Sequence, residues 1–220
     1  MTKDFLNTPL IGILRGIEIQ HVPVVFEAAL NAGLAAIEIT VNTPNAFDLI
    51  GHAAEHYGEH IIIGAGTVLD DTSAKQAMNC GARFLVSPCN QSDVAQFCMT
   101  SSIPFFPGAL TPQEIWNAWK SGATMVKVFP AGVFGPKYFR DVKAPLDTVK
   151  LLACGGITPD TIADFIRNGA DAFAFGSGIF KPEWIRGKNT IAVQKAIQQL
   201  IQKYRETIND LRENIRYVAP

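Results

Sequence analysis

The sequence predicts an α/β protein folded as a single (β/α)8 TIM barrel, and three observations predict it. Short apolar runs recur roughly every 20–27 residues, the interval that a strand, a loop, a helix and a second loop require. Amphipathic segments of helical period fill the intervals. Three of these segments close on the same small-Gly-Ala turn and pass at once into an apolar run: Asn79-Cys80-Gly81-Ala82, Ser121-Gly122-Ala123 and Asn168-Gly169-Ala170. At 220 residues the chain suits one domain spanning 1–220 and is short for two. A doubly wound open sheet is the alternative architecture, but it rarely needs eight parallel strands in so short a chain.

The eight strand candidates are 10–14, 36–41, 61–65, 84–87, 105–106, 125–129, 150–153 and 172–175. Most are continuously apolar, as expected for strands covered on both faces. The fifth is the weakest, because Pro104 and Pro107 hem it in and proline limits ladder pairing. Between the first two strands, Val24, Val25, Ala28, Ala29 and Leu30 form an apolar stripe that Gly33 ends. Thr43-Pro44, Thr111-Pro112 and Thr158-Pro159 each put a capping residue before a proline suited to the first helical position. The segment 190–212 reads as a C-terminal helix.

Composition narrows the function classes. The chain is 48% hydrophobic and 18% charged with a net charge of -1, and no basic or acidic block marks a nucleic-acid or anionic membrane surface. No apolar run reaches membrane-spanning length and the first residues lack a signal-like core, so a cytoplasmic protein is expected. Cys80, Cys89, Cys98 and Cys154 are widely spaced with no CxxC pair, which suits reduced thiols better than a disulfide framework.

In a barrel the chemistry sits at the C-terminal ends of the strands. Lys127, within Met125-Val126-Lys127-Val128-Phe129-Pro130, would be buried there. Burial disfavours an ammonium and frees the amine to attack a carbonyl and form a Schiff base. Alternatively, its head group reaches water or a structural carboxylate. Glu38, between Ile37 and Ile39, is the natural companion, either as a proton-transfer group or in a structural ion pair with Lys127 or Arg15. Arg15 clamps a substrate carboxylate or pairs with Glu38. Gly155-Gly156 and Gly176-Ser177 follow the seventh and eighth strands, where barrels commonly hold phosphate; a plain tight turn is the alternative for each. Gly64-Ala65-Gly66-Thr67 lacks the third glycine of a dinucleotide fingerprint. His52 and His56 share a helix face without a third ligand, so no metal is expected. Trp116 and Trp119 read as core or subunit packing.

Five segments occur in order: Ile11-Gly12-Ile13-Leu14-Arg15-Gly16, Ile37-Glu38-Ile39-Thr40, Gly64-Ala65-Gly66-Thr67-Val68, Val126-Lys127-Val128-Phe129-Pro130-Ala131 and Cys154-Gly155-Gly156-Ile157. With them the chain resembles, over nearly its whole length, the class I aldolases of 2-keto-3-deoxy-6-phosphogluconate (KDPG) and 4-hydroxy-2-oxoglutarate (KHG). The resemblance implies a (β/α)8 barrel, a homotrimer, a small keto-acid or keto-acid phosphate substrate, and no metal or cofactor. It implies Lys127 as the Schiff-base lysine and Glu38 as the general acid/base. Thr67, Pro88 and Phe129 would line the pyruvate pocket, and Gly155, Gly156, Gly176 and Ser177 would hold phosphate. Asn42 stands where many phosphogluconate-type members carry an arginine. Asn42-Thr43-Pro44 is closer to the branch acting on 2-keto-3-deoxy-6-phosphogalactonate (KDPGal), which leaves the carboxylate to Arg15. Two rival readings keep the barrel: a sugar-phosphate isomerase or epimerase using Lys127 as a plain acid/base, and a silent phospho-metabolite binding protein.

Overall fold

The computed structural model describes residues 1–218, with side chains to Glu213. Nine parallel strand segments form one sheet: β1 Leu10–Leu14, β2 Ala36–Thr40, β3 Ile62–Gly66, β4 Leu85–Val86, β5 Phe105–Phe106, β6 Gly108–Ala109, β7 Val126–Val128, β8 Leu151–Cys154 and β9 Ala172–Phe175. Their spatial order is β5-β4-β3-β2-β1-β9-β8-β7-β6. The first strand therefore lies beside the last, and the expected barrel is present.

The fifth strand departs from expectation in an informative way. Proline at 107 has no N–H to give the ladder, so the strand splits into β5 and β6, and Gly108 lies in a strand rather than in the following loop. The split closes the ring. β5 pairs with β4 while β6 pairs with β7, and the Pro107 carbonyl still accepts from the Lys127 amide at 2.8 Å.

Strand alternation sorts the side chains into two cores. Ile37, Ile39, Ile63, Val126, Val128, Leu151 and Ala153 face the helices. The opposite parity, including Ile11, Ala36, Ile62, Phe84, Phe106 and Leu152, fills the barrel interior. Phe5, on the short Lys3–Asn7 helix, closes the lower end and meets Phe106 edge-on at 6.5 Å. Phe106 in turn meets Phe84 edge-on at 5.8 Å, the offset geometry aromatic quadrupoles prefer.

The Gly-Ala turns behave as the sequence implies. Gly33, Gly81, Gly122 and Gly169 all take left-handed φ, between 78° and 96°. The next amide reaches back across each helix end: Leu34 to Ala29, Ala82 to Ala77, Ala123 to Ala118 and Ala170 to Phe165. Thr111 caps the Pro112–Lys120 helix in a reciprocal box with Glu114. The other two Thr-Pro pairs do not cap. The helix after β2 starts later, at Ala46, and the one after β8 at Ile162. Both threonines are drawn into loop hydrogen bonds instead. The C-terminal helix, Thr190–Val218, packs Val193, Ile197, Leu200 and Ile201 in the core beside the Val22–Ala32 and Ile162–Arg167 helices, and Tyr204 meets Phe173 of β9 edge-on at 6.0 Å.

Candidate active site

A cleft of about 950 Å³ opens at the C-terminal ends of the strands. It collects Arg15, Thr67, Pro88, Lys127, Phe129, Gly155, Gly156, Gly176 and Ser177, every sequence-predicted site residue except Glu38. Glu38 lies beneath the cleft, 1% exposed.

The parity that fills the lower barrel with hydrocarbon also delivers the polar groups. Glu38 is two residues beyond Ala36 on β2, and Lys127 two beyond Met125, so both point inward one layer above the apolar floor. Space for the Glu38 carboxylate comes from β3. A Cβ at Gly66 would lie 2.6 Å from Glu38 Oε1, so a side chain there would displace the acid. Among the described residues Glu38 makes no ion pair with Lys127 or Arg15, and its Oε2 has no hydrogen-bond partner. Desolvation raises its pKa above the ordinary carboxyl value, opposed by the more distant charges of Lys127 and Arg15. Lys127 and Arg15 thus act on Glu38 through charge and not through a close ion pair. A buried acid with an unoccupied oxygen and a raised pKa is suited to moving a proton.

Lys127 is 6% exposed and its amine faces the cleft, with Nζ 5.3 Å from the centre of the Phe129 ring. Cys154, two residues past Leu152 on the inward face of β8, lines the same cleft. Burial pushes its thiol up to about 11, so it stays protonated beside the amine. The sequence marks Cys154 only as a reduced thiol, although its parity and its place before Gly155 fit a cleft-lining position.

Two groups flank the amine. On one side Arg15 donates to the Thr67 hydroxyl at 3.4 Å. Thr67 sits at φ 59°, a left-handed conformation unfavourable for a β-branched residue, and such strain concentrates at ligand sites. Asn42 is exposed and does not line the cleft, so it is not positioned as Arg15 is. On the other side Gly155 and Gly156 take φ 97° and 80°, which only glycine adopts without strain. Among the described residues the amides of Gly155, Gly156, Gly176 and Ser177 donate to no protein acceptor, leaving four N–H groups for an anion. The cleft also takes in His21 and Arg186, both from connecting segments with no motif in the sequence to announce them. Among the described residues no three His, Cys, Asp or Glu side chains are grouped to hold a metal.

A family model described as "Aldolase: KDPG and KHG aldolase" matches residues 2–196. The chain belongs to the KDPG and KHG aldolase family. It is an aldolase, a lyase of carbon–carbon bonds. The 2-dehydro-3-deoxy-6-phosphogalactonate aldolase of Escherichia coli (strain K12) is 31% identical over 201 residues, covering 91% of this chain and 96% of its own. The KHG/KDPG aldolase of the same organism is 28% identical over 166 residues, 74% of this chain and 78% of its own. A solved structure described as "Native KDPGal structure" matches this aldolase with TM-score 0.87 and 30% identity, over 95% of this chain and 98% of that one. The isomerase and silent-binding readings lose their ground with this membership. None of the aldolase's helices is long and apolar enough to cross a membrane, among the described residues.

Proposed function

We propose that the protein is a class I, Schiff-base aldolase that cleaves KDPG to pyruvate and glyceraldehyde 3-phosphate, and KHG to pyruvate and glyoxylate. The observation that carries this is a buried lysine opening onto the cleft above an acid with a free oxygen. Lys127, as its free amine, adds to the substrate ketone, and uptake of one proton with loss of water leaves a protonated imine. That cation accepts the electron pair of the bond between the third and fourth carbons once the carbinol hydroxyl gives up its proton. Glu38, directly or through one water, takes that proton. The enamine is then protonated and hydrolysed, releasing pyruvate. The imine is itself the electron sink, so the chemistry calls for no metal or cofactor.

Arg15 and Thr67 hold the keto-acid carboxylate in this reading, Pro88 and Phe129 flank the pyruvate carbons, and the amides at Gly155, Gly156, Gly176 and Ser177 take the phosphate. Cleavage of KDPGal, the epimer at the carbinol carbon, is a second reading, favoured by the similarity to KDPGal aldolases. The apolar side chains of Val133 and Phe134 are 74% and 53% exposed, which supports a homotrimer that covers them. Free thiols at Cys80, Cys89, Cys98 and Cys154 support a reducing, cytoplasmic setting.

The test is borohydride reduction in the presence of pyruvate, followed by peptide mass mapping. The adduct is expected on Lys127, and an unlabelled protein that still turns over substrate would refute the covalent route. Turnover of KDPG, KDPGal and KHG, compared side by side, then assigns the substrate.

A further inference from the structure

The loop after β2 carries a hydroxyl pair that the proposed mechanism does not use. Thr40 is fully buried at the end of β2, and Thr43 is 4% exposed three residues on. Their Oγ1 atoms lie 3.0 Å apart, and the Thr43 amide donates to the Thr40 carbonyl at 2.9 Å. Thr43 Oγ1 also accepts the Gly16 amide at 2.9 Å, across to the loop after β1. Gly16 has φ 68°, a conformation its lack of a Cβ permits.

We infer that Thr43, braced by Thr40, is a positioning residue for Arg15 and thereby sets the enzyme's grip on the substrate carboxylate. The Gly16 amide lies in the peptide plane that includes the Arg15 Cα and carbonyl. Holding that N–H fixes the plane from which the guanidinium departs toward Thr67 Oγ1. The chain of contacts runs from β2 through Thr40, Thr43, Gly16 and Arg15 to Thr67 at the end of β3. It joins the loops after three adjacent strands on the carboxylate side of the amine. Thr43 is committed on both sides, accepting from Gly16 and sharing a proton with Thr40, so a residue of the same shape without a hydroxyl cannot replace it.

This inference rests on Arg15 binding the carboxylate, and its test separates the two ideas. Lys127 is trapped with borohydride against increasing pyruvate and, in parallel, against acetone, a ketone with no carboxylate. Thr43→Val, which keeps the shape, should raise the half-saturating pyruvate concentration about tenfold, the loss expected for one hydrogen bond near a charged group. Acetone trapping should change less than about twofold. Thr43→Ser should restore pyruvate binding. In an Arg15→Ala background Thr43→Val should have no further effect. Equal loss for both ketones, or an unchanged pyruvate curve, overturns the positioning role. A poorly folded Thr43→Val would be recognised beforehand by its circular-dichroism spectrum and thermal melt, read without either ketone. Thr43→Ala, which removes the hydroxyl without adding bulk, then takes its place and should show the same selective loss of pyruvate. Were Arg15→Ala itself to bind pyruvate normally, the carboxylate assignment would fall instead. Absence of any adduct in the unaltered protein would refute the Schiff base.

Discussion

The lower and upper halves of the barrel interior are built from the same inward-pointing parity and serve opposite ends. Below, Phe106 meets Phe5 and Phe84 edge-on, and Ile11, Ile62 and Leu152 pack with them in one apolar cluster. Above, one register step toward the strand ends, the same alternation yields Glu38, Lys127 and Cys154, with an unpartnered carboxylate oxygen and a strained Thr67. The floor fixes the strands so that the upper layer can hold groups that would prefer water. Stability is concentrated in one half and reactivity in the other.

Substitutions in each half should therefore separate cleanly. The largest effect is expected from Lys127→Ala, which should reduce aldol cleavage to background while leaving the fold intact, as read by circular dichroism and steady-state assay. Glu38→Gln keeps the shape of the acid and should lower kcat by about 10²–10⁴-fold, the usual contribution of a positioned acid/base, with a smaller change in KM. From the floor, Phe106→Ala should remove about 3–5 kcal/mol of stability in urea denaturation through lost packing and a residual cavity. At temperatures where that variant stays folded, its kcat should stay near the parent value. A collapse of kcat in the folded variant would break the division of labour.

The smallest effect sharpens it. Burial raises the Glu38 pKa above 4.5, so the folded state favours the protonated acid. The stability this confers is fully present below about pH 4.5 and is lost as pH rises through the raised value. Glu38→Gln should accordingly melt higher than the parent protein at neutral pH, and the gain should shrink as the pH approaches 4.5. The same ionisation should shape the acid limb of the activity profile, since a base must be deprotonated. A thermal-shift series across pH, run beside the rate profile, checks both.

Much of this organisation is legible in the sequence because strand parity is a local property. Ala36-Ile37-Glu38 and Met125-Val126-Lys127 put the charged residue on the face of its inward neighbour, and the glycine turns mark where each helix hands over to a strand. The isolation of Glu38 is not legible there, because it depends on Gly66 of a neighbouring strand leaving room. β6 is hidden by Pro107, which disrupts a strand by local rules while its carbonyl still serves the ladder. Thr43 carries a helix-cap signal before proline, but Gly16, 27 positions earlier, claims its hydroxyl. Arg186 and His21 reach the cleft only because the barrel brings distant connections together.

Pairing of β1 with β9 has a consequence for synthesis on the ribosome. Until Phe175 has left the exit tunnel, the growing sheet has two open edges, one on the first strand and one on whichever strand was made last. Unpaired edges recruit other chains. A nascent chain stalled before that residue is accordingly the species most in need of a chaperone, and release of the final strand removes both edges at once.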